Sequence, residues 1–316
     1  MTSKFQSNDI LAALLLVPML AAGNGAPNLV SGEAIAIQHV FSDQPFPKWQ
    51  NGFILARDRA DNPVPQVYVF DRLGRLLRSH RVVLPDAERV ILRDVAVSPK
   101  GTLAVTGSAF ARDGAAATFI AWLDSAGSIA QVARTSPFAS GRLCFADDET
   151  LWATGREYSP DYNSKPEYDV LRRYASDGRL LGSLLPRSTF PNSYRDPGMD
   201  ALLICAGNRL AMYSRAASFW VEVSSSGEIL TRLSAHPGEC APTGLALTSS
   251  GSVYLSAPGQ GCDGTGPLRQ LNRQSQEWTP VTLDGRSDSG GRIIGTDGVD
   301  LLVYRGRGTL VRVRAE

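Results

Sequence analysis

The chain has 316 residues, 43% apolar and 20% charged, which supports a large core and excludes a disordered or low-complexity protein. Lys and Arg total 32 against 31 Asp and Glu, a net charge of +1, so nothing in the composition favours a nucleic-acid partner.

The first 26 residues stand apart from the rest. Ile10 to Ala22 is an unbroken apolar run of thirteen residues, preceded by a polar segment with Lys4 and ending in the small-residue stretch Ala21-Ala22-Gly23-Asn24-Gly25-Ala26. As a helix it would span roughly 20 Å, short of a bilayer core of about 30 Å. This pattern predicts a cleavable export signal over 1–26, with an uncleaved N-terminal anchor as the alternative. No other membrane span is expected, and the mature chain is expected in the periplasm or secreted.

After this segment the apolar positions alternate or run in short blocks, and 30 Gly and 19 Pro punctuate them. A phrase then recurs about every fifty residues: an apolar residue, a short turn ending in Gly, and a second apolar run. It reads Phe70-Asp71-Arg72-Leu73-Gly74, Leu123-Asp124-Ser125-Ala126-Gly127, Tyr174-Ala175-Ser176-Asp177-Gly178 and Val223-Ser224-Ser225-Ser226-Gly227. A fifth, worn copy is Leu271-Asn272-Arg273-Gln274-Ser275. Between these phrases lies a second hairpin, clearest in Val95 to Val105 and Leu245 to Leu255. Two hairpins per period make a four-stranded unit, and repeated units of short strands and turns are the signature of a β-propeller.

Residues 27–316 are therefore expected to form one all-β domain of about six four-stranded blades. The last repeat, from Gly291, supplies only three strands. Ala34 to Phe41 is expected to complete it and close the ring, which removes exposed edges. The inner strand of the first blade falls near Phe46 to Trp49; the alternative is a five-bladed ring with Ala34 to Phe41 in that place. Trp122, Trp152 and Trp220 lie within strands and read as packing residues between blades.

The run Val95-Ala96-Val97 through Gly101 to Val105, then Ile120 through Asp124 to Gly127, resembles the repeat of NHL-type and YVTN-type propellers. The resemblance implies the fold. The Asp-then-Asn-Arg element of NHL repeats is missing after Val105, Trp152 and Leu255.

In such a ring the ragged connections, expected at 57–66, 107–118, 155–169, 185–200 and 256–267, gather on one rim, where binding residues concentrate. Two of them are rich in Tyr, Arg and acids. The first holds Arg156, Glu157, Tyr158, Tyr162 and Tyr168; the second holds Tyr194, Arg195 and Asp196. They predict a contact surface for a protein, peptide or sugar. The competing reading is that these loops pack upon themselves.

Cys240 and Cys262 fall in Gly-rich loops of one repeat and are expected to form a disulfide, closing a 22-residue span. Cys144 and Cys205 hold matching places in successive repeats, either as buried thiols or as a second bridge. No catalytic residues are assigned: the chain has three His, no paired metal-binding His and no Gly-x-Ser-x-Gly elbow. Gly259-Gln260-Gly261-Cys262-Asp263-Gly264 has dinucleotide-loop spacing, but Gly266-Pro267 follows where a helix should open. No cofactor is expected. The alternative is a lactonase-like or lyase-like hydrolase whose channel metal, such as Ca²⁺, is held by Asp94 and Asp200. At corresponding entries Arg142 and Thr243 stand instead, so the ligand set is short.

Overall fold

The computed structural model describes residues 27–38, 45–59, 62, 64–161, 163–191, 196–234, 240–259, 262, 266–287 and 290–315. The export signal expected over 1–26 lies outside the described residues.

The described chain is built of β-strands and turns, with a short 3-10 turn at Arg187–Thr189. It opens with β1 (Asn28–Ala36) and then lays down four antiparallel four-stranded sheets in succession. The first holds β2 (Lys48–Gln50), β3 (Phe53–Arg57), β4 (Gln66–Phe70) and β5 (Leu76–Arg81). The second holds β6 (Arg89–Val97), β7 (Leu103–Phe110), β8 (Ala116–Leu123) and β9 (Ile129–Arg134). The third holds β10 (Phe138–Phe145), β11 (Leu151–Glu157), β12 (Asp169–Tyr174) and β13 (Leu180–Pro186). The fourth holds β14 (Ala201–Ala206), β15 (Arg209–Ser214), β16 (Phe219–Ser224) and β17 (Ile229–Ser234).

The remaining strands form an eight-stranded sheet. These are β18 (Gly244–Leu247), β19 (Val253–Ser256), β20 (Leu268–Asn272), β21 (Glu277–Leu283), β22 (Arg292–Asp297), β23 (Asp300–Gly306) and β24 (Thr309–Ala315), with β1 inserted between β21 and β24. β1 runs antiparallel to β24, pairing Leu29 with Ala315 and Ala36 with Thr309. The N-terminal strand thus joins the last repeat, but it begins at Asn28 rather than Ala34 and ends at Ala36. Its early start also gives two parallel pairs with β21, Asn28 with Thr282 and Leu29 with Leu283. That contact merges what the repeat alone would leave as two sheets.

The sheets touch in a closed circuit: β3 with β6, β6 with β10, β10 with β14, β14 with β18, β18 with β22, and β22 with β2, which pairs with β3. The arrangement is that of a propeller. Burial follows from it. Middle strands such as β7 and β8 are buried along most of their length because both faces are covered, whereas outer strands such as β5 and β9 are largely open to solvent. Trp122, Trp152 and Trp220 are buried as expected. Trp122 meets Tyr174 of the next sheet edge-on at 6.3 Å, and Trp220 meets Trp278 at 6.1 Å.

The recurring Gly phrase forms the turn between the third and fourth strands of a sheet. In one copy the Asp124 carboxylate accepts backbone N–H bonds from Ala126 and Ser128, each at 2.9 Å, which holds the chain in its reversal. Gly127 then sits at φ 87°, and a Cβ there would overlap the His80 ring of the preceding sheet. The connection expected at 107–118 is shorter than its sequence suggested. Asp113 and Gly114 close a tight turn, with the Asp113 carboxylate accepting from Ala115 N–H at 2.9 Å, so strand pairing continues to Phe110 and Ala116.

Candidate functional site

The inner strands enclose a cavity of about 1020 Å³. Its two ends differ in chemistry. At the end where these strands enter stand Lys48, Arg57, Asp94, Arg142 and Arg292; at the other end are turn residues such as Asn51, Asp147, Asn208 and Gly298.

Strand geometry explains which side chains face the entry end. Lys48 and Arg292 are the first residues of β2 and β22, and Arg57 is the last of β3, so all three lie at the same edge of the ring. On β6 and β10 the ladder slips by one residue, between Leu92 and Asp94 and between Ser140 and Arg142. Such bulges re-aim side chains and recur beside functional sites. Asp94 therefore lies within β6 rather than ahead of it.

Asp94 is buried and engaged through one carboxylate oxygen. Lys48 Nζ donates to its Oδ2 at 3.2 Å, and the Leu143 N–H donates to the same oxygen at 2.8 Å. Lys48 also donates to Val95 O at 3.3 Å and to Leu143 O. Burial pulls the Lys48 ammonium below its ordinary pKa, with Asp94 opposing.

The guanidiniums are set differently. Burial lowers Arg57 to about 10, with Asp94 opposing and Arg142 adding to the shift. Burial lowers Arg292 to about 9, and Arg142 and Arg215 push in the same direction. Arg292 lies over the Phe46 ring at 4.4 Å, and Arg142 Nε donates to Ala201 O at 3.2 Å. Asp200 is held by Arg215 of its own hairpin. Among the described residues, no group of three or more His, Cys, Asp or Glu side chains could hold a metal ion.

The described Tyr, Arg and acidic side chains of the expected rim bond one another. Arg156 and Glu157 lie in β11, and Asp169 lies in β12, because pairing extends beyond the expected loop edges. Arg156 Nη1 is 2.5 Å from Asp196 Oδ2, which also accepts from Ser164 at 2.9 Å, while Tyr168 donates to the other oxygen at 3.0 Å. The Arg156 guanidinium covers the Tyr158 ring at 4.3 Å. Glu157 pairs with Lys165 at 2.8 Å and with Arg172. Burial raises the Asp196 pKa, but the bonds from Arg156, Ser164 and Tyr168 together bring it below the ordinary carboxylate range. The expected neighbours 155–169 and 185–200 do meet, through Asp196. Tyr162, Tyr194 and Arg195 lie outside the described residues.

Both disulfides form. Cys240 joins Cys262 with Cα atoms 5.3 Å apart, and Cys144 joins Cys205 at 5.8 Å, linking β10 to β14 in the cavity wall.

These features define a β-propeller with a polar central cavity that is cationic at one end. Two solved structures share the architecture at low identity. One is a protein of unknown function from Bacteroides caccae, 10% identical, with a TM-score of 0.51 over 81% of this chain and 84% of that one. The other is a candidate exported protein from Bacteroides fragilis, 12% identical, with a TM-score of 0.60 over 91% of this chain and 95% of that one. A catalytically inactive virginiamycin B lyase from Staphylococcus aureus, crystallised with quinupristin, is 11% identical with a TM-score of 0.49 over 91% of this chain and 99% of that one. No family model and no curated protein matches the chain.

Proposed function

We propose that the chain is an exported, six-bladed β-propeller that binds its ligand in the central cavity. Four blades are the four-stranded sheets, a fifth is β18 to β21, and the sixth is β22 to β24 completed by β1. The repeat is of the NHL-like kind. Two disulfides and the likeness to a candidate exported protein support a periplasmic or secreted location, with residues 1–26 as the export signal.

The observation that carries the binding reading is the cavity of about 1020 Å³ walled by the inner strands. Ligand sites commonly occupy about 300–1,000 Å³ with a few convergent polar groups. This volume suits a small molecule, a sugar, or the end of a peptide. The rim of blades three to five is less suited, because Arg156, Glu157, Tyr168 and Asp196 bond one another. Hydrolysis through a metal on Asp94 and Asp200 is disfavoured for a similar reason: each carboxylate is already paired with a cation.

The test is a thermal-shift screen of sugars, peptides and small acids against three proteins: wild type, Thr243→Trp, which fills the cavity entrance, and Tyr158→Ala on the rim. Ligands should stabilise wild type and Tyr158→Ala but lose their effect on Thr243→Trp. The reverse pattern would move the site to the rim, and chelator-sensitive lactone hydrolysis would revive the enzyme reading.

A further inference from the structure

We propose that the ligand of this cavity presents an oxyanion, a carboxylate or a phosphate, to Arg57, Arg142 and Arg292. The inference rests on reading the cavity as the binding site and adds the chemistry of what enters it.

Four cationic side chains from β2, β3, β10 and β22 line the entry end, against one carboxylate, Asp94. Asp94 is taken up by Lys48 and the Leu143 N–H. Among the described residues, Arg57, Arg142 and Arg292 have no carboxylate partner. Arg57 donates to Asp58 O at 3.2 Å, Arg142 to Ala201 O at 3.2 Å, and Arg292 stacks on Phe46. A guanidinium carries five N–H donors in a rigid fork, so most of this donor capacity is unspent.

Elsewhere in the molecule several arginines do receive an acid. Arg156 pairs with Asp196, Arg172 with Glu157, Arg215 with Asp200, Arg273 with Glu222, and Arg312 with Asp297. Arg78, Arg93 and Arg269 are half-buried without an acid, bonding Gly101 O, Ser108 Oγ and Trp278 O, but none of these three lines the cavity. Crowding Arg57, Arg142 and Arg292 without an acid costs stability, since each charge is partly desolvated beside another of the same sign. Such a cost is retained where an incoming anion repays it, and the planar fork of arginine suits bidentate contact with carboxylate or phosphate. Phe46, lying against Arg292 at the entrance, adds an apolar surface beside the charged one.

The test uses the full chain in low-salt buffer and calorimetric titration with three probes: sodium glucuronate, inorganic phosphate, and glucose as the neutral counterpart. At least one anion should bind at least tenfold more tightly than glucose and weaken as sodium chloride is added. Arg142→Gln and Arg292→Gln should each lower that affinity at least tenfold, while Arg134→Gln, on the outer strand β9, should leave it unchanged. Arg57→Gln is the third variant should either of the first two fail to fold. Glucuronate without phosphate would identify a carboxylate ligand, and phosphate without glucuronate a phosphate one. The proposal falls if neither anion outcompetes glucose, or if binding survives unaltered in the arginine variants. A neutral ligand that binds wild type but not Thr243→Trp would then leave the cavity reading standing alone. Anion binding that is indifferent to Thr243→Trp would overturn the cavity reading.

Discussion

Lys48 and Asp94, 46 residues apart in sequence, meet at 3.2 Å across the first two sheets. Asp94 also accepts from Leu143 N–H, and Lys48 donates to Leu143 O, so one ion pair ties the inner strands β2, β6 and β10. Both side chains are mostly buried, at 21% and 11% exposed. Removing one partner leaves the other charged without compensation. Lys48→Met should therefore cost about 3 kcal/mol in urea denaturation. Lys48→Met with Asp94→Leu should recover part of the loss; a double variant no more stable than the single one would refute the tie.

Gly127 couples a turn to its neighbouring sheet. An alanine there would be held at φ 87° and would overlap His80. Gly127→Ala should lower stability by about 2 kcal/mol or more, the sum of backbone strain and a steric clash. Combining it with His80→Ala should restore the steric share and leave the backbone share. Thermal melts of the three variants separate the two.

The Asp196 cluster should set part of the acid limit of folding. Its pKa is lowered in the folded chain, so its stabilising contribution is complete above the unfolded value of 3.8 and is lost as pH falls through the folded one. Glu157 shifts in the same direction through Lys165 and Arg172, against the opposing effect of burial. Asp196→Asn should cost about 2 kcal/mol at pH 7 and flatten the loss of stability below about pH 4. Denaturation curves from pH 7 to pH 2.5 would show it; equal acid slopes in variant and wild type would contradict it.

The two disulfides should differ in weight. By loop entropy, the Cys144–Cys205 bridge, spanning 61 residues, is worth about 4 kcal/mol, and the Cys240–Cys262 bridge, spanning 22, about 3 kcal/mol. Replacing Cys144 and Cys205 together by Ala should lower the midpoint of unfolding more than replacing the other pair. The first change should also loosen the cavity wall, where hydrogen exchange at Leu203 would report it.

The repeat was legible because its cause is local. Asp and Ser side chains cap the turns, Gly reverses them, and apolar runs mark strands buried on both faces. The Cys240–Cys262 bridge followed from two Gly-rich loops of one repeat. The rim was legible as a cluster, but its role was not: side-chain type does not say whether Arg156 meets Asp196 or a ligand. The cationic entry end left one trace in sequence, Arg142 at the position that Asp94 holds in the preceding repeat. Read as a missing metal ligand, it pointed away from the anion site that the structure suggests.

The amino-acid order by itself determined the strands, their turns and the all-β class, since these depend on alternation and turn chemistry over a few residues. Tertiary structure decided the merging of β1 with β21, the second disulfide, and the meeting of Arg57, Arg142 and Arg292 around one space. Those residues come from different sheets, and only closure of the ring brings charges so distant in sequence close enough to act on one another.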